Sequence, residues 1–276
     1  MKQSMLVLCL LAALGFGQSS FDLVKLPTDS RDASLGLPLS PIVKPSQIWL
    51  QQDPQVSLSA WSWVADINGA YVGIGLENSY FSIQSQSYGE LEYRNEIPSD
   101  EPLSVFGYSV FALGAAHVYE WNDFLLGAGT EILYERTLDT ANAGIAVNFE
   151  VARTLSSNLM LSTGVRHLGS GGKLGDERTS FPVEVWLAAD AHLGNSRLLM
   201  EVNDGDFPFT LGASYQFAHV VDFMGGVQSE MTESGLRVHP SVGFTASYDQ
   251  FSLGYSLYQF SHNLGPRHFL SLFWRY

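Results

Sequence analysis

From Val56 onward the chain alternates large apolar residues with small or polar ones, in runs of roughly ten residues whose period is that of a strand with two unlike faces. The last run is the clearest: Leu270, Leu272, Trp274 and Tyr276 share one face, and Phe269, Ser271, Phe273 and Arg275 share the other. In 251–261, Phe251, Leu253, Tyr255 and Leu257 oppose Ser252, Gly254, Ser256 and Tyr258. In 207–218, Phe209, Leu211, Ala213 and Tyr215 oppose Thr210, Gly212, Ser214 and Gln216. Segment 183–193 sets Val185, Leu187 and Leu193 against Glu184, Trp186, Asp190 and His192, so its charges fall on one side. Asn, Asp, Gly and Ser separate the runs, and helical periodicity is almost absent. The pattern predicts fourteen strands, at 56–63, 69–77, 79–89, 107–120, 124–138, 143–155, 159–168, 183–193, 197–203, 207–218, 221–229, 237–248, 251–261 and 267–276.

Two architectures share this pattern. A soluble sandwich or small lipocalin-type barrel turns the apolar face inward, whereas a membrane barrel turns it to lipid and closes on itself so that every backbone amide is satisfied. Three features favour lipid: small inward residues alternating with large outward ones, Trp and Tyr near strand ends, and a strand-forming C-terminus ending in Tyr276. The N-terminus adds a fourth. Residues 1–17 carry Lys2, an apolar run from Met5 to Phe16, and small residues at Gly15 and Gly17, the pattern of a cleaved export signal. The run is too short to span a bilayer as a helix, and no later stretch approaches the roughly 20 apolar residues a spanning helix needs. The expected fold class is therefore all-β: a transmembrane antiparallel up-and-down β-barrel of about 14 strands over 56–276, in the bacterial outer membrane, with outer-membrane lipid as its surroundings.

Composition narrows the function classes. The chain has 276 residues, 46% of them hydrophobic and 15% charged, enough apolar material to exclude disorder as its main state. Fourteen Lys and Arg against 28 Asp and Glu give a net charge of -14, the wrong sign for a protein that tracks phosphates, so no nucleic-acid partner is expected. The single cysteine, Cys9, lies in the export segment, which leaves no disulfide framework and no cysteine metal site.

Residues 18–55 differ in composition from the strand-forming region. Pro27, Pro38, Pro41, Pro45 and Pro54 are too dense for strands, and a leader, a periplasmic extension or a plug in the barrel mouth all fit. Leu23, Leu26, Leu35, Leu37, Leu39, Ile42, Ile48 and Trp49 favour a packed piece, a hatch or plug.

The stretch from Phe21 to Gly36, with Leu26-Pro27, Arg31 and Leu35-Gly36 at its fixed points, resembles the N-terminal signature of the PorV/PorQ family of outer-membrane proteins. The similarity continues weakly through 129–135, 161–169 and the Glu177 loop to Phe181-Pro182. Leu37 stands where the family has a second glycine, and Asp53-Pro54-Gln55 where it has Asn-Pro-Ala, so the chain is a divergent match. The resemblance implies a fourteen-stranded barrel related to the long-chain fatty-acid transporter type, an N-terminal hatch, and attachment to type IX protein secretion.

Catalytic chemistry finds little footing. The seven histidines show no ligand spacing, so no metal and no cofactor is expected. Asp190 and His192 share a strand face, but two polar lumen residues explain them as well as a general base does. No Gly-x-Ser-x-Gly elbow occurs, and no catalytic residue and no enzymatic activity is expected. Gly169-Ser170-Gly171-Gly172-Lys173 lacks phosphate-loop spacing and reads as a flexible loop. Two charged connections, 90–106 with Glu92, Arg94, Asp100 and Glu101, and 170–182 with Asp176, Glu177 and Arg178, are the expected outward partner loops. The short turns near Asn122, Ser157 and Asn195 are expected in the periplasm.

Two functions fit these features. One is a docking or accessory barrel for protein secretion, whose partners are secreted proteins or secretion-machinery subunits, as the resemblance implies. The alternative is an outer-membrane transporter of hydrophobic small molecules. A transporter needs a continuous apolar pocket between hatch and wall, whereas a docking barrel can be packed solid.

Overall fold

The computed structural model describes residues 22–51, 53–63, 66–93, 104–137, 140–174, 177–232, 235–259 and 265–276. The expected export segment lies outside them. Strands β1 (Gln55–Ser62), β2 (Asn68–Leu76), β3 (Ser79–Tyr93), β4 (Ser104–Trp121), β5 (Phe124–Thr137), β6 (Thr140–Ser156) and β7 (Leu159–Leu174) follow one another as an antiparallel meander. A short β8 (Glu177–Ser180) folds back on β7. The meander resumes with β9 (Glu184–Leu193), β10 (Ser196–Asn203), β11 (Phe209–Phe217), β12 (Val221–Thr232), β13 (Gly235–Tyr248), β14 (Phe251–Tyr258) and β15 (Arg267–Arg275). β1 pairs with β15 from Gln55↔Arg275 to Ser62↔His268, and β7 pairs with both β6 and β9. Leaving the β8 flap aside, this is a closed barrel of 14 strands with no free edge.

Each sequence run becomes one strand because its turns suit tight reversal. Asn122, Asp249 and Gly194 take φ of 55°, 53° and 63°, the left-handed conformation that two-residue hairpins require and that Asn, Asp and Gly tolerate. These turns lie together at one end. The longer connection between Asn203 and Phe209 lies at the other.

The direction of the apolar face separates the two architectures. Leu58, Phe81, Phe111, Ile132, Ile145, Leu187 and Leu270 point outward and are exposed, while Ser57, Gln84, Glu131, Glu201 and Ser271 point inward and are buried. A soluble sandwich is excluded by this inversion, and the exposed apolar belt is the surface such a barrel turns to lipid. Trp121, Phe217, Tyr248, Phe251, Trp274 and Tyr276 are exposed around the short-turn end, where an aromatic girdle belongs. No helix among the described residues is long and apolar enough to cross a membrane; the crossing is made by strands.

Two details differ from the sequence reading. Residues 169–173 form the end of β7 instead of a flexible loop, because β6 and β8 pair with them on either side. Residues 22–51 also contain helical turns that the proline density hid: a 3-10 turn at Asp22–Lys25, α1 (Ser30–Leu35) and α2 (Ser46–Gln51). Asp29 caps α1 by accepting from the amides of Arg31 and Asp32 at 2.7 and 3.0 Å, and Gly36, at φ 65°, ends it.

Candidate functional site

The lumen is the only space in such a barrel where chemistry can be sheltered from both lipid and bulk water. Inward Trp61, Tyr71, Tyr80, Trp186, Tyr258, Phe269 and Phe273 are nearly fully buried and fill much of it. Residues 22–51 fill the rest. The segment starts near the long-loop end, where Lys25 pairs with Asp206 at 2.6 Å, and leaves at the short-turn end, where the amide of Tyr276 donates to the Pro54 carbonyl at 3.1 Å.

Both of its flanks meet the wall through apolar, glycine and polar contacts. Toward β4–β6, Leu23, Val24 and Leu26 form one apolar cluster with Val110, Ala112, Leu133, Ala146 and Phe181. Here the wall is smoothed by glycine: a Cβ on Gly129 would sit 2.0 Å from the Ile42 carbonyl oxygen, and one on Gly127 would sit 2.5 Å from Pro45. Toward β10–β15 a Cβ on Gly226 would likewise sit 2.2 Å from the Leu35 carbonyl oxygen, Leu35, Leu37 and Leu39 pack on Leu199 and Met224, and polar contacts are added. The Ser30 amide donates to Ser271 Oγ at 2.8 Å, Ser241 Oγ donates to the Ser34 carbonyl at 2.8 Å, and the Arg31 guanidinium lies 3.7 Å over the Phe273 ring. Burial lifts the Asp32 carboxyl well above the usual carboxylate range, the Asp29 charge adds to this, and hydrogen bonds from Thr28 offset part of it.

A chain of buried charges runs from the segment into the wall. Lys44 pairs with Glu201 and lies 4.8 Å over the Trp186 ring. Glu201 also pairs with Arg166 at 3.0 Å and accepts from Asn203 at 3.2 Å, and Arg166 pairs in turn with Glu184 at 2.5 Å. Charges alternate along this chain, two positive and two negative, so each buried ion has an opposite neighbour. Nearby, Ser46 donates its amide and its hydroxyl to Glu150, both at 2.7 Å, and Asn148 donates to the Ile42 carbonyl at 3.0 Å.

The cavities are uneven. A chamber of about 490 Å³ opens at the short-turn end between the segment and the wall, lined among others by Arg31, Leu50, Gln55, Arg197, Asp222 and Arg275. Deeper in the lumen, two cavities of about 20 Å³ each are large enough for a water molecule.

The residues singled out by sequence separate into groups. Leu26, Pro27, Arg31, Leu35 and Gly36 all lie within the lumen, with Leu35 packed on Leu37, Leu39, Leu199 and Met224. Asp53 and Pro54 lie at the short-turn end, apart from them, and Phe21 is outside the described residues. Arg94, Asp100, Glu101 and Asp176 also fall outside; Glu92 is in β3 and Glu177 and Arg178 are in β8. Asp190 and His192 do approach, to 3.4 Å, but Arg197 takes the carboxylate at 2.5 Å and also reaches Gln47. Sequence reasoning missed Lys44, Ser46, Glu150, Arg166 and Glu201. Strand phase places the last three inward, but the meeting of Glu150 with Ser46 and of Glu201 with Lys44, each more than a hundred positions away, leaves no local trace.

These features define an outer-membrane β-barrel with an occupied lumen, and the localisation expected from the sequence agrees with that fold. Known structures share it. The chain is similar to the toluene transporter TodX of Pseudomonas putida (TM-score 0.65, 9% identity, covering 93% of this chain and 98% of that one). It is also similar to the toluene transporter TbuX of Ralstonia pickettii (0.60, 10%, 93% and 100%) and to the monoaromatic hydrocarbon channel CymD (0.58, 11%, 94% and 98%). At such identities the similarity is one of fold. No family model matches the chain, and no curated protein sequence matches it.

Proposed function

We infer that this protein is an outer-membrane transport barrel for small, largely apolar molecules, closed at rest by residues 22–51 acting as a hatch. The observation that carries the reading is the seating of that segment: glycines of the wall admit it closely, an apolar seam runs along it toward β4–β6, and discrete polar tethers on both flanks fix it. Such a piece slides along the seam once its tethers release, and the seam is the surface an apolar solute would follow. The 490 Å³ chamber at the short-turn end then receives what passes. Similarity to barrels described as toluene and hydrocarbon transporters supports the same class of cargo.

The test is a reversible tether. Ser34→Cys with Ser241→Cys places a cysteine pair where the two residues already touch, and the only natural cysteine is Cys9. Cells producing this variant should take up toluene under reducing conditions and lose that uptake on oxidation. Equal uptake in both states contradicts the reading.

A second reading keeps one observation on its side. A lumen whose deeper cavities are only about 20 Å³ suits a docking barrel of the PorV/PorQ type, serving type IX-like secretion through its long loops. Recovery of a stoichiometric secreted protein or secretion subunit in mild detergent favours it; a chain that emerges alone with a bound apolar ligand favours transport.

A further inference from the structure

The Lys44 site has a chemistry of its own. Its walls, the Trp186 ring and the Glu201 carboxylate, belong to neighbouring strands β9 and β10 and are almost completely buried, at 1% and 0% exposure. An indole face beside a carboxylate is the arrangement that recognises an ammonium group. The ammonium that fills it comes from the inner segment, not from the wall.

The charges say what happens when the segment leaves. With Lys44 in place, Lys44, Glu201, Arg166 and Glu184 balance. Without it the wall keeps two carboxylates and one guanidinium, a net negative charge in a desolvated lumen. The surroundings do not neutralise it: Glu150, close to Lys44, accepts from Ser46, and Lys25, which lines the same small cavity as Glu201 and Arg166, belongs to the segment and pairs with Asp206. A neutral hydrocarbon leaves that imbalance standing, whereas a molecule bringing its own ammonium removes it.

We propose that Trp186 and Glu201 form a binding site for alkylammonium groups, occupied at rest by Lys44 as a built-in ligand, and that the barrel's cargo is an apolar body carrying one such group. The proposal rests on the reading of residues 22–51 as a hatch and narrows its cargo from apolar molecules to apolar amines. Ile42 and Val43, buried just before Lys44, mark where the apolar part lies. Binding displaces Lys44 and with it the tether, so the cargo itself favours opening.

Calorimetric titration of the purified full-length Lys44→Ala chain with n-butylammonium tests this, with n-butanol as the neutral match in shape. The butylammonium ion should bind saturably, roughly tenfold or more tighter than to the unaltered chain, and lose that advantage when Glu201→Gln is added. Because Glu201→Gln also deprives Arg166 of a partner, a second measurement needs no change in the wall. In a chain altered only at Ser34→Cys, butylammonium should speed maleimide labelling of that buried position several-fold, and butanol should not. Equal responses to the two probes in both experiments overturn the proposal. Absent ammonium binding alongside tether-sensitive toluene uptake removes this site and leaves the hatch. Ammonium binding in a chain whose uptake ignores the tether keeps the site and removes the hatch.

Discussion

The wall of this barrel and the segment inside it are held by different physics. The wall is a continuous ladder: each strand is paired on both sides, β1 closes on β15, and lipid-facing residues such as Leu58, Ile132 and Leu270 need only be large and apolar. The segment is held through side chains: apolar residues such as Leu23, Leu35 and Ile42 buried against the wall, a seat against glycines, and the Lys44–Glu201, Ser46–Glu150 and Ser34–Ser241 contacts. A distributed ladder loses little with any one side chain. A seat made of side chains loses more when one of them changes.

Substitutions that act on one region and spare the other sharpen this contrast. The largest effect should come from Gly129→Leu. Its new side chain would begin about where the Ile42 carbonyl oxygen sits, so the segment must leave its seat, and protease cleavage within 22–51 should become rapid while the barrel persists. Lys44→Met comes next. It leaves Glu201 with Arg166 and Asn203 but without its ammonium partner and should weaken docking by about 3–5 kcal/mol, read as increased labelling of a cysteine placed at Ser34. Ile132→Arg works the other way: it sets a cation on the lipid face near mid-strand and should destabilise the wall by about 2–4 kcal/mol in urea unfolding from vesicles. The smallest effect belongs to Ser241→Ala, which removes one neutral hydrogen bond to the segment and should cost docking about 0.5–1.5 kcal/mol in the same labelling assay. Lys44→Met lowering wall stability as much as Ile132→Arg would break the distinction.

The same difference decides what could be read from sequence. The alternation of Leu270, Leu272 and Trp274 with Phe269, Ser271 and Phe273 recurs along most strands, so strand positions, their number and the closure are legible from period and turn chemistry. Bounds miss where pairing extends beyond the pattern: 169–173 looks like a glycine loop but is drawn into β7 by strands on both sides. The seat of the segment is not legible in this way. Lys44 looks like any lysine beside a proline, and its partners lie on β9 and β10, so only the closed barrel brings them together. Gly127 and Gly129 look like ordinary small inward residues, and their task of admitting Pro45 and Ile42 appears only once the segment is in the lumen.

Ion conductance across a planar bilayer tests most directly whether residues 22–51 close this barrel. The unaltered chain should carry almost no current, and Gly129→Leu, with its segment displaced, should conduct through an open lumen. Currents that are equal in the two proteins, whether both silent or both open, would contradict the account.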